Sequence, residues 1–140
     1  DRDEDAEAKN YADEFYAVDF SNKEEVFKIA KEKNVSAIIP TNDWGVMSAA
    51  YASKHLGLRF ISEDAAQGAT NKYMMRKIWK EKGVDTPWFI SLDDLNDFDI
   101  NNLSLPCIFK PQDSRVAGSR GVKVVYKKSE IEDAFRFAQK

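Results

Sequence analysis

Lys110 ends an apolar run, Leu105-Pro106-Cys107-Ile108-Phe109, and a basic stretch with two glycines follows it: Gln112-Asp113-Ser114-Arg115-Val116-Ala117-Gly118-Ser119-Arg120-Gly121. A second apolar run, Val122-Lys123-Val124-Val125-Tyr126, comes next. Two strand-like runs around such a loop predict a hairpin. It would carry a cation at one strand end, beneath a loop rich in backbone donors and flanked by Arg115, Arg120 and Lys123. Such a site suits a polyphosphate, because N–H groups meet phosphate oxygens and cations offset their charge. Strand alternation sets Ile108 and Lys110 on one face and Cys107 and Phe109 on the other. A cleft that receives Ile108 therefore receives Lys110. An ordinary surface hairpin with a snorkelling lysine is the alternative.

A second candidate is Lys72, which follows Asn71 at the start of an expected helix. A lysine in the first turn is unfavourable beside the positive helix end. A bound anion would offset that cost, and a lysine pointing to solvent would avoid it. Among six glycines none builds G-x-x-x-x-G-K-[ST] or G-x-G-x-x-G, so neither a Walker A loop nor a dinucleotide fingerprint is present in this sequence. A nicotinamide-binding domain is accordingly the weaker alternative, since it has no need of Lys110 and a basic loop. His55 is the only histidine and sits near a helix end, where a cation is favourable. No His/Cys grouping has zinc spacing and no nucleophile–His–acid set is apparent, so metal ligands are not assigned. Asp93, Asp94, Asp97 and Asp99 read as a solvated loop, and Trp44, Trp79 and Trp88 as core residues.

The elements that must hold these residues follow from local signals. Ser21 to Glu24 reads as a capping box opening a helix through Val26, Phe27, Ile29 and Ala30 to about Lys33-Asn34. Val35 to Ile39 reads as a strand stopped by Pro40, and Thr41-Asn42-Asp43 as the cap of a helix closed by Gly57. Arg59 to Ile61 reads as a strand, and Phe15 to Val18 as another short one. This alternation predicts an α/β fold with a parallel sheet and crossover helices. Beyond it come a short helix over Ser62 to Ala69, a longer one from Asn71 to Gly83, a strand over Thr86 to Ile90, and an irregular or partly helical stretch from Asp93 to Ser104. The hairpin then leads to a last helix opened by a capping box at Ser129 to Glu132.

The 140 residues suffice for one domain or two small ones. With 24 acidic against 21 basic residues and a net charge of −3, general nucleic-acid binding is not expected. No apolar run approaches the roughly 20 residues that span a bilayer, so no membrane role is expected, and no signal peptide is seen. Cys107 is the only cysteine, which excludes an internal disulfide and points to a cytoplasmic location. Its place in an apolar run suits a small buried hydrophobe. The chain starts without Met at Asp1-Arg2-Asp3, and its last helix runs to Lys140, so it reads as a fragment. Exposed sheet edges would then favour a homo-oligomer.

Taken in order, Tyr11-Ala12-Asp13-Glu14-Phe15, Ile39-Pro40-Thr41-Asn42-Asp43, Leu56-Gly57-Leu58, Thr70-Asn71-Lys72-Tyr73-Met74-Met75-Arg76, Gly83-Val84-Asp85-Thr86-Pro87, Phe109-Lys110-Pro111 and Gly118-Ser119-Arg120-Gly121-Val122 resemble the ATP-grasp superfamily, in particular the carbamoyl-phosphate-synthase-like ligases. The resemblance implies a partial Rossmann-like domain over residues 1–66 and the first α+β subdomain of an ATP-grasp fold over residues 67–140. It implies ATP and Mg²⁺ as cofactors, the metal ligands lying beyond this sequence, and small-molecule carboxylate and amine substrates. Lys72 and Lys110 would contact the nucleotide, while Ser119, Arg120 and Gly121 would belong to a loop closing over the phosphates. ATP would activate the carboxylate as an acyl-phosphate for displacement by the amine. A non-catalytic nucleotide-binding or assembly module of the same fold is the alternative. Arg115-Val116-Ala117 makes this loop bulkier than the glycine-rich family pattern.

Overall fold

The computed structural model describes residues 1–113 and 120–139. Contacts divide the chain into two units, Asp1–Gln67 and Gly68–Lys140.

The first unit is built on helices α1 (Lys23–Glu32) and α2 (Val46–Leu56), which pack on each other. Asn42 opens a 3-10 turn, Asp43–Gly45, that leads into α2: its side-chain oxygen accepts the N–H groups of Trp44 at 3.0 Å and Gly45 at 3.2 Å, while the first turn of α2 itself has no side-chain cap. Gly57 closes it in the left-handed region at φ 68°. α1 starts one residue later than expected. Its cap is Asn22, because the Ser21 hydroxyl is spent on Asp19 Oδ1 at 2.7 Å. The buried residues are small: Ala30 on α1, and Ser48, Ala49, Ala50, Ala52 and Ser53 on α2. Phe27 meets Tyr51 edge-on, with ring centroids 6.2 Å apart, and the Lys23 ammonium lies 4.6 Å from the Tyr51 ring centre. The boundary between units falls inside α3 (Glu63–Thr70).

The second unit holds α4 (Lys72–Glu81), β1 (Cys107–Phe109), β2 (Lys123–Val125) and α5 (Ile131–Ala138). β1 and β2 pair antiparallel, with Cys107 opposite Val125 and Phe109 opposite Lys123. The hairpin faces its core as alternation predicts. Val125, Ile131 and Ala134 are buried, and Cys107, Phe109, Leu95, Leu103 and Leu105 pack against them. Ile108 stays 60% exposed on the other face. Two 3-10 turns, Leu95–Asp97 and Ile100–Asn102, occupy the stretch expected to be partly helical. Asp94 and Asp99 cap them, accepting from Asn96 N–H at 2.8 Å and Asn101 N–H at 2.9 Å. The last helix also departs from its expected capping box. Glu130, rather than Glu132, reaches back to the N–H groups of Tyr126 and Lys127, and those hydrogen bonds lower its pKa. Glu132 instead pairs with Arg136 one turn on.

Four expected strands are corrected. Phe15–Val18, Val35–Ile39, Arg59–Ile61 and Thr86–Ile90 form neither helix nor ladder, and the one sheet among the described residues is β1–β2. A strand exists only with a hydrogen-bonded neighbour, and these runs meet none among the described residues. The expected parallel sheet is therefore absent among them. The tryptophans are corrected too: Trp44, Trp79 and Trp88 are exposed rather than core. No described helix is long and apolar enough to cross a membrane.

Candidate functional site

The start of α4 is tied to the chain just past β1. Asn71 caps the helix, its Oδ1 accepting the Met74 N–H at 2.9 Å. The next N–H, that of Lys72, donates to the Gln112 carbonyl at 2.8 Å, and Asn71 forms a β-bridge with Asp113. This pairing brings the first turn of the helix beside the segment that follows Lys110. Lys72 and Arg76 lie four residues apart on α4 and so share a helical face. Arg76 is half-buried; its Nη1 donates to Thr86 Oγ1 at 3.0 Å, and its guanidinium lies 5.2 Å from the Trp79 ring centre.

Lys110 feels the result. Partial burial, then the positive charges of Arg76 and Lys72, push its pKa below the usual lysine range. The side chain as a whole remains exposed, so water still screens it. No carboxylate among the described residues forms an ion pair with Lys72, Arg76 or Lys110. Three cations gathered with no carboxylate paired to them among the described residues raise each other's free energy, and an anion between them would reverse that sign.

Of the residues singled out from sequence, Lys72 and Lys110 are thus brought together. Arg120 is exposed. Gly121 is buried at φ 73°, and a Cβ there would lie 2.8 Å from Pro111 Cγ and 3.3 Å from the Phe137 carbonyl oxygen. Its glycine identity is thus explained by packing beside Lys110. Ser119, with Arg115 and Gly118, lies outside the described residues. Arg76 is the addition that the structure makes; its spacing from Lys72 was the available signal. Gln112, Ser91 and Thr86 carried no such signal, since their partners lie far along the chain.

The other candidates are quiet. Burial raises the Cys107 thiol pKa, which keeps it protonated and poorly nucleophilic. His55 is exposed, with its Nδ1 2.9 Å from the Tyr51 carbonyl oxygen. No group of three His, Cys, Asp or Glu among the described residues could hold a metal ion.

No family model matches the chain. Curated relatives include the alanine–anticapsin ligase of Bacillus subtilis (strain 168), 30% identical over 114 residues that make up 80% of this chain and 24% of that protein. D-alanine–D-alanine ligase A of Bacillus cereus is 38% identical over 64 residues, 44% of this chain and 21% of that one. The chain thus spans about a quarter of the length of the curated relatives it matches. Among solved structures, L-amino acid ligase from Bacillus licheniformis shares the fold at a TM-score of 0.66 and 24% identity, over 81% of this chain and 27% of that one. Phosphoribosylglycinamide synthetase from Anaerococcus prevotii superposes at a TM-score of 0.57 and 27% identity, over 91% and 31% of the two chains. The chain belongs to the ATP-grasp superfamily.

Proposed function

We propose that this chain is the ATP-binding portion of a ligase that activates a carboxylate as an acyl-phosphate for attack by an amine. One observation carries the proposal: Lys72, Arg76 and Lys110 converge with no carboxylate paired to them among the described residues. The lysines hold phosphate oxygens and offset their charge, and that charge is redistributed as a phosphoryl group moves to the carboxylate oxygen. The amine then forms the new C–N bond as phosphate leaves. Ile108, exposed beside Lys110 on the outer sheet face, gives the nucleotide an apolar surface. Arg120 and Ser119 belong to the phosphate-facing loop, and Gly121 is its packed hinge. Two of the relatives are named for alanine, as alanine–anticapsin ligase and D-alanine–D-alanine ligase, so amino acids are the proposed carboxylate and amine substrates. Residues 1–66 serve as part of a Rossmann-like domain and residues 67–140 as the first ATP-grasp subdomain. Among the described residues no group of three His, Cys, Asp or Glu could hold Mg²⁺.

Lys110→Ala in the full-length protein tests this. Loss of one charge-assisted phosphate contact should raise the apparent KM for ATP roughly 10- to 100-fold, or abolish turnover. ATP kinetics unchanged from the wild type would remove Lys110 from the site and with it the proposal.

A further inference from the structure

We infer that Gln112 is a positioning residue that sets the spacing of Lys72 and Lys110. The inference rests on the ATP-binding proposal above. Lys72 and Lys110 sit on different elements, repel each other, and carry their charges on flexible stems. Their separation must therefore be fixed by whatever joins the two backbones. Gln112, two residues past Lys110, makes that join at two points and braces it at a third. Its carbonyl accepts the Lys72 N–H at 2.8 Å. Its Nε2 donates to Asn71 Oδ1 at 3.5 Å, the same oxygen that caps α4. Its Oε1 accepts the Ser91 hydroxyl at 3.1 Å, which ties the junction to a third segment of the second unit. Gln112 is exposed, so core packing does not account for these bonds. The neighbouring Asn71–Asp113 bridge continues the same seam.

Gln112→Ala keeps the backbone bond to Lys72 and removes both side-chain ties. In the full-length protein it should raise the apparent KM for ATP about five-fold, with kcat retained. Ser91→Ala should reproduce part of that rise. The double variant should be no worse than Gln112→Ala alone, because the two share one hydrogen bond. A purely structural role predicts a different pattern, in which the melting temperature and the apparent kcat fall while KM stays fixed; that pattern overturns the inference. Fully additive effects overturn it as well. Lys110→Ala measured alongside separates the two levels. If Lys110→Ala weakens ATP binding and Gln112→Ala does not, positioning by Gln112 is wrong and the site stands. If Lys110→Ala has no effect, both fall.

Discussion

Lys110 holds its proton less tightly than an ordinary lysine, and the causes rank as partial burial, then Arg76, then Lys72. The sign has two consequences. In the unfolded chain the same lysine keeps its proton to higher pH, so folding gains from this group as pH rises between the lowered pKa and the ordinary one. Anion binding runs the other way. It needs the charged form, so affinity is full below the lowered pKa and is lost as pH rises through it. ATP affinity, followed by calorimetry against pH, should therefore fall on the alkaline side earlier than an ordinary lysine would dictate. Arg76→Gln removes one like charge and should move that alkaline limb to higher pH, whatever it does to the plateau. A limb that stays in place would show that Arg76 does not act on Lys110. Arg76 also shows what residue-level reading misses. Its distance from Lys72 along the helix was plain, but its bond to Thr86 and its approach to Lys110 depend on the fold.

At the level of elements, the hairpin and its closing helix meet at Gly121. A methyl group there would press on Pro111 Cγ at 2.8 Å, and the φ of 73° disfavours any side chain. Gly121→Ala should cost about 2–3 kcal/mol, from the backbone conformation and the overlap together. Chemical denaturation checks this; a loss of only about 1 kcal/mol would mean that Pro111 yields and the backbone conformation alone carries the cost. The hairpin, with its inward and outward faces, was legible in the sequence because alternation is a local pattern with a fixed period. Helices bounded by Asn42, Gly57, Asn71 and Gly83 were legible for the same reason, since caps act within a few residues. Val35–Ile39 and Thr86–Ile90 were not legible, because β pairing depends on neighbours distant in sequence. The caps that slipped, at Ser21 and Glu132, slipped where a nearby side chain took the hydrogen bond first. For the site, Lys72 and Lys110 were readable as cations at element ends, whereas the seam through Gln112 was not.

Across the whole chain, each unit has its own buried set: alanines and serines in the first, Val125 with Ile131 and Ala134 in the second. Val125→Ala opens a cavity under the hairpin and should destabilise the second unit by about 2 kcal/mol. Hydrogen exchange should then quicken in β1, β2 and α5 while α1 and α2 keep their protection. Equal acceleration in both units would show that they open as one. The net charge of −3 is spread over a chain that still gathers three cations at one place, so attraction for an anion is a local property, strongest within about a Debye length of 8 Å at physiological salt. The contact between Pro111 and Gly121 has a consequence for changes in chain length. Both stems of the segment between them are pinned at one point, so its ends are fixed whatever lies between. Closure entropy grows only with the logarithm of length, about 0.6 kcal/mol per doubling. A change of length within that segment should therefore cost the hairpin itself little stability, whereas one at Gln112 or Asp113 would break the seam that holds Lys72 beside Lys110.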